Sequence, residues 1–175
     1  EIYGMEIELT ALIGDKFSLD VKMAALESNV SEDYLALDNR LLIEDVLLAD
    51  GVTPAKEEIH GANRDVERFL QNLEGNDLAK TPGFTADITL AYEDQLASGG
   101  FIGASVQYTY RGEFEQRVFN NPEVDVVDAY DIVNVVASYD TEDTVWGLDL
   151  MALNVFDEDG VNSSMTDVFG VNETG

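Results

Sequence analysis

Six stretches of this chain alternate apolar and polar residues with a period of two, and no other feature limits the fold so tightly. Successive side chains of a strand point to opposite faces, so each stretch reads as a strand with one apolar and one polar face. In the first, Met5, Ile7, Leu9 and Ala11 alternate with Glu6, Glu8 and Thr10. Past Gly14-Asp15-Lys16, the residues Phe17, Leu19, Val21 and Met23 oppose Ser18, Asp20 and Lys22. The third sets Phe84, Ala86, Ile88, Leu90 and Tyr92 against Thr85, Asp87, Thr89 and Glu93. After Ser98-Gly99-Gly100, Ile102, Ala104, Val106, Tyr108 and Tyr110 face away from Gly103, Ser105, Gln107, Thr109 and Arg111. Val133, Val135, Ala137 and Tyr139 form the fifth apolar set, opposite Asn134 and Ser138, with Val136 interrupting the polar side. Trp146, Leu148, Leu150 and Ala152 form the sixth, opposite Gly147, Asp149 and Met151.

The predicted strands span about 2–13, 17–27, 84–95, 101–114, 130–139 and 144–154. Runs of about ten residues match what a tilted strand needs to cross a bilayer. Tight turns at Gly14 to Lys16, Ala97 to Gly100 and Asp140 to Asp143 join strands one to two, three to four and five to six. The other connections are long, and the longest covers about 28–82. Short turns at one end and long loops at the other are the pattern of antiparallel outer-membrane barrels, with the long loops extracellular. The long connection also carries helical spacing. Asn63 could cap a helix holding Val66, Phe69, Leu70 and Leu73 with Gly75 as its stop, and Tyr34 to Leu48 repeats that spacing more loosely.

Composition then removes whole classes of function. The chain has 175 residues, 9 basic against 36 acidic, for a formal net charge of -27. Phosphate backbones are bound by Lys and Arg, so no nucleic-acid partner is expected. With 45% hydrophobic residues the chain is too apolar for disorder. The absence of cysteine excludes disulfides, thiolate chemistry and Cys-based zinc sites. No apolar run reaches the roughly 18 residues of a membrane helix. Patterned sequence begins at Glu1 without a signal-peptide leader, as a fragment or a mature product would begin.

Seven pieces of the chain stand in a telling order: Gly4-Met5-Glu6-Ile7-Glu8, Asn76-Asp77-Leu78-Ala79-Lys80-Thr81-Pro82, Tyr108-Thr109-Tyr110-Arg111-Gly112-Glu113-Phe114, Asn121-Pro122, Ala129-Tyr130-Asp131-Ile132-Val133-Asn134, Trp146, and Asn154-Val155-Phe156-Asp157. Taken in that order, they resemble the C-terminal third of TonB-dependent receptor barrels. The resemblance implies an all-β, antiparallel transmembrane barrel fragment, about six strands of an expected 22-stranded barrel, with a partly helical extracellular loop. It further implies residence in the bacterial outer membrane, lipid contact, and uptake of a scarce nutrient such as a ferric siderophore, a carbohydrate or cobalamin. The TonB complex would be contacted through an N-terminal region outside this chain, and the closing strand of such a barrel would follow Gly175. Neither a cofactor nor an enzymatic activity is implied. The same alternation also permits a soluble β-sandwich or jelly-roll binding module, or a passive porin or adhesin-type barrel without TonB coupling.

Candidate chemistry is sparse. His60 is the single histidine and reads as a solvated loop residue, which disfavours histidine-based nucleophile schemes. Acidic pairs are too numerous in this composition to mark acid/base work. Asp157, Asp159 and Asn162 surround Gly160 in a loop loosely like a calcium loop, without its closing glutamate. Asn154 and Asp157 are expected to tie this loop through side chain to backbone hydrogen bonds. The polar side of the strands places Glu6, Glu8, Asp20, Lys22, Asp87, Gln107, Arg111, Asn134 and Asp149 together as a lumen lining and plug contact. Tyr108 and Tyr110 would sit on the lipid side near a rim. Loop carboxylates such as Glu32, Asp33, Asp45 and Asp50 would repel anionic ligands, and salt would screen them within about ten ångströms.

Overall fold

The computed structural model describes residues 1–38, 40, 70–143, 145–161, 163–167 and 170–174. Every element with described bounds is a strand. In chain order these are β1 (Ile2–Ile13), β2 (Phe17–Ser28), β3 (Leu35–Leu37), β4 (Leu70–Asn72), β5 (Phe84–Gln95) and β6 (Phe101–Arg111). They are followed by β7 (Phe114–Glu115), β8 (Val126–Val127), β9 (Tyr130–Asp140), β10 (Gly147–Ala152), β11 (Ser163–Asp167) and β12 (Gly170–Thr174). The six long strands form one antiparallel sheet in the order β1-β2-β5-β6-β9-β10, so each predicted strand pairs with its neighbour in the pattern. Three two-stranded ladders, β3-β4, β7-β8 and β11-β12, stand apart from it.

The sheet's three tight connections lie at one end. Gly14 supplies a positive φ of 66° in the first, a conformation that costs glycine little. Gly99, at 91°, does the same in the second, where Leu96 and Gly100 close the hairpin by a 2.7 Å backbone bond. The third is wider than the sequence suggests. Thr141 and Asp143 turn their side chains onto the backbone, with the Thr141 hydroxyl bonding Asp143 at 2.6 Å and the Val145 amide donating to Asp143 at 3.2 Å. That turn delays β10 to Gly147, three residues after the predicted start. At its far end the strand stops at Ala152 because Asn154, at a φ of 48°, turns out of the ladder.

Two further expectations need correction. The predicted fourth strand, 101–114, breaks after Arg111, where the Gly112 amide donates to the Phe84 carbonyl at 2.8 Å and the chain bends into β7. The helical spacing around Leu70 and Leu73 is not realised at its C-terminal end, since Leu70–Asn72 pairs with Leu35–Leu37 as β4. The Leu73 amide donates to the Tyr34 carbonyl at 2.9 Å, and Gly75 serves a turn at a φ of 83° in place of a helix stop. Residues 35–37, at the start of the looser helical run, are likewise strand β3. Long-range ladder partners outcompete local helical spacing here, as tertiary pairing commonly does. Of the two helical runs, residues 39, 41–48 and 63–69 lie outside the described residues, as do His60, Asp45 and Asp50. The tail is also more than loop, because β11 and β12 form a hairpin of their own.

Fully buried apolar side chains are few, and their positions are informative. Leu73, Phe114 and Val127 lie at the loop end, and only Ala86 belongs to the large sheet. The large sheet therefore has no packed layer on either side among the described residues.

Candidate functional site

Register, more than any single side chain, builds the candidate site. Partners directly opposite one another in a ladder share a face, so rows can be followed across the sheet. One row runs Glu6, Ala24, Thr85, Arg111, Tyr130. The next runs Glu8, Lys22, Asp87, Thr109, Ile132, and the third Thr10, Asp20, Thr89, Gln107, Asn134. Asp149 joins the same face through Ser138 and Gly103. All nine polar residues singled out from the sequence are thus on one side of one sheet.

Several of them are already engaged with one another. Asp87 accepts hydrogen bonds from Gln107 Nε2 at 2.9 Å and from the Thr109 hydroxyl at 2.8 Å. Gln107 Oε1 in turn accepts from Asn134 Nδ2 at 3.3 Å, and Asn134 Oδ1 accepts the Asn154 backbone amide at 3.0 Å. A hydrogen-bonded line therefore crosses β5, β6 and β9 and ends on the loop after β10. On the other flank the Thr10 hydroxyl donates to Asp20 at 2.7 Å, and Lys22 lies 3.9 Å from the same carboxylate. Arg111 lays its guanidinium over the Phe114 ring at 4.6 Å. Glu6, Glu8, Lys22, Asp87, Arg111 and Tyr130 border an open concavity of 460 Å³ at the loop end of this face. Mixed charges and amides of this kind suit polar contact with a solute or another polar surface; they supply no aligned nucleophile and base.

The opposite face is built by the same register from the other half of the residues. Met5, Leu9, Val21, Ile88, Leu90, Val106, Val135 and Leu150 all belong to it. Large side chains stand open there, with Leu9 52%, Val106 45% and Leu150 62% exposed. Its charged strand residues, Glu27, Asp94 and Asp131, occupy the second position from an end of β2, β5 and β9. None interrupts the centre.

Aromatic rings mark both margins of this face. At the turn end Phe17 stacks tilted on Tyr92, centroids 4.9 Å apart, and Tyr139 meets Trp146 at 5.9 Å. At the loop end Phe84 meets Tyr110 at 5.9 Å. Tyr92 lies eight positions beyond Phe84 in β5, about 26 Å along the strand. Sequence reading placed Tyr108 and Tyr110 near a rim; Tyr110 reaches the loop-end margin, but Tyr108 lies opposite Ile88 at mid-strand, and the turn-end band went unread. The signal was present, since Phe17, Tyr92, Tyr139 and Trp146 each lie at the turn end of an apolar set. Just beyond that margin Lys16 bonds Asp94 at 2.6 Å, and this bond raises the lysine pKa above its ordinary value.

At the loop end, the first and second long connections are joined through Arg117. Its Nε and Nη2 grip Asp125 at 2.5 and 3.1 Å, and its Nη1 reaches Asp38 at 2.9 Å. Both carboxylates have 0% exposure. Burial works against the charge on Arg117, yet the bonds to Asp125 and Asp38 outweigh it and leave its pKa raised. Glu115 is pushed above the usual carboxylate range by burial and then by Asp125, Asp77 and Glu113. No motif in the sequence flagged this cluster.

The loop after β10 is tied down by Asn154, as expected. Its Oδ1 accepts the Glu158 amide at 3.0 Å and its Nδ2 donates to the Glu158 carbonyl at 2.9 Å. Asp157 contributes through a φ of 56° and a backbone bond to Asn154 at 2.9 Å. Asn162 lies outside the described residues, and among the described residues no group of three His, Cys, Asp or Glu is placed to hold a metal. No protein-family model matches this chain, and no curated protein or solved structure is significantly similar to it.

Proposed function

We propose that the chain is a wall segment of a bacterial outer-membrane β-barrel of the TonB-dependent receptor kind, which imports a scarce nutrient through the lumen that its polar face lines. One observation carries the reading: among the described residues, nothing covers the continuous apolar face of a six-stranded antiparallel sheet, which is free of charge between its margins and has aromatic pairs at both of them. A soluble sandwich would lay a second sheet over that face, and the described residues supply only two-stranded ladders elsewhere. Lipid covers such a face without further protein. Strands of 11 or 12 residues in β1, β2, β5, β6 and β9 are long enough to span the hydrocarbon when tilted. Aromatic rings at the two margins suit the headgroup levels, where an amphipathic ring is half in hydrocarbon and half in water.

In this reading the strands on either side of β1 and β10 belong to the rest of the barrel, which removes the two open edges. The polar face, with Glu6, Glu8, Lys22 and Arg111 at its loop end, meets the lumen contents, either the plug or the passing solute. Energy coupling belongs to the plug and its TonB-contacting segment, outside this chain.

Two measurements test the proposal in cells producing the intact protein. Outer-membrane extracts should contain it as a band whose gel migration shifts on heating. Growth limited by a ferric chelate, a maltodextrin or cobalamin should depend on the protein for at least one of the three, and that dependence should vanish without TonB. Growth that survives TonB removal would point to the passive porin, and recovery as a detergent-free soluble monomer would overturn the barrel itself.

A further inference from the structure

Apart from Ala86 in β5 and Ser28 at the end of β2, the buried side chains among the described residues are in the loops. Leu73 from the first long connection and Phe114 and Val127 from the second are at most 4% exposed. The buried polar residues Ser28, Asp38, Gln116 and Asp125 are found at the same end. Both connections contribute described residues to this buried set. Their shared hydrogen bonds explain how it closes.

Four links join the two connections. Asn76 Nδ2 donates to the Val118 carbonyl at 2.9 Å, and the Lys80 amide donates to the Glu115 carbonyl at 2.7 Å. Asn120 engages Asp77 twice, accepting its amide at 2.6 Å and donating to its carbonyl at 3.1 Å. Arg117 is the fourth and the one with the highest stake. It reaches from the second connection to Asp38 at the end of β3, across 79 residues of sequence, while its fork on Asp125 fixes its direction and the Phe119 ring lies 5.3 Å from its guanidinium. Two carboxylates withdrawn from water share this cation, and each also accepts a backbone amide, Asp38 from Arg40 at 2.9 Å and Asp125 from Asn121 at 2.8 Å. Breaking such an arrangement by removing one partner strands a charge where water cannot reach it.

We propose that residues 28–38 and 70–83 of the first connection and 112–129 of the second form a single cooperative cap, buckled by Arg117, that loosens as one body while the six-stranded sheet stays intact. The cap holds whether or not the sheet lies in a membrane, because its bonds and interior are all at the loop end. A ligand or antibody that grips one connection would therefore restrain the other, although their residues are far apart in the chain.

Amide hydrogen exchange on the intact protein in detergent tests this with Arg117→Gln and, as a second variant, Asp38→Asn, which removes charge from the first connection only and leaves the Asp125 fork in place. For each variant that retains its sheet, exchange should quicken at least tenfold in 34–38, 70–80 and 114–127 together, with β5, β6 and β9 unchanged. A rise confined to 114–127 in the arginine variant, or to 34–38 and 70–80 in the aspartate variant, would mean two independent loops and would overturn the proposal. Loss of protection throughout the sheet in both variants would overturn it as well, since the cap would then not be separable.

Discussion

Glu115 shows how one side chain can set the pH response of a structure. Burial and the neighbouring carboxylates Asp125, Asp77 and Glu113 raise its pKa, so the folded cap binds this proton more tightly than the unfolded chain does. The resulting stabilisation is complete below the ordinary glutamate pKa and is lost as pH rises through the raised value; above it, the ionised group opposes folding of the cap. Glu115→Gln should therefore slow exchange of the cap amides at neutral pH, and the difference from the parent protein should shrink towards pH ~4. A variant that opens more readily at neutral pH would refute this sign. Arg117 is the contrasting residue. Its charge is held by two bonded carboxylates, and removing it from a buried pair of this kind costs about 3–5 kcal/mol. Neither Glu115 nor Asp38 stands out in a sequence with 36 acidic residues, and no motif marks Arg117 among the nine basic ones.

Among elements, the long strands were legible and the short ones were not. Period two over ten or more residues leaves little choice of face, and Gly14 and Gly99 mark turns by their conformational freedom. β3 and β4 have three residues each, too few for alternation to show, and their leucines fit helical spacing equally well. Pairing with each other decided the matter. The two faces can be tested on adjacent residues of β5. Ile88 faces the apolar side, midway between the aromatic margins, and Thr89 faces the polar side. If lipid covers the apolar side, Ile88→Arg should cost about 2–4 kcal/mol in folding into lipid vesicles, and Thr89→Arg much less. Equal effects at the two positions, measured by denaturant titration in the same vesicles, would argue against a lipid-facing sheet.

For the whole molecule, charge is the dominant long-range term. A formal net charge of -27 on 175 residues means strong self-repulsion, which disfavours the compact state. Salt at about 0.5 M shortens the screening length to a few ångströms. The urea midpoint in uncharged detergent should accordingly rise between about 0.01 M and 0.5 M sodium chloride, and a midpoint that falls would show that attractive ion pairs such as Lys16–Asp94 outweigh the repulsion. The sequence by itself determined the six strands, the polarity of each face and the positions of the first two tight turns, because alternation and glycine turns act between near neighbours. Tertiary structure alone decided that the six apolar sets align in register on one face with no layer over it among the described residues, and that Arg117 closes on Asp38. Those outcomes depend on the register of ladders and on bonds between residues up to 79 positions apart, where a one-residue slip would turn every side chain of a strand to the other side.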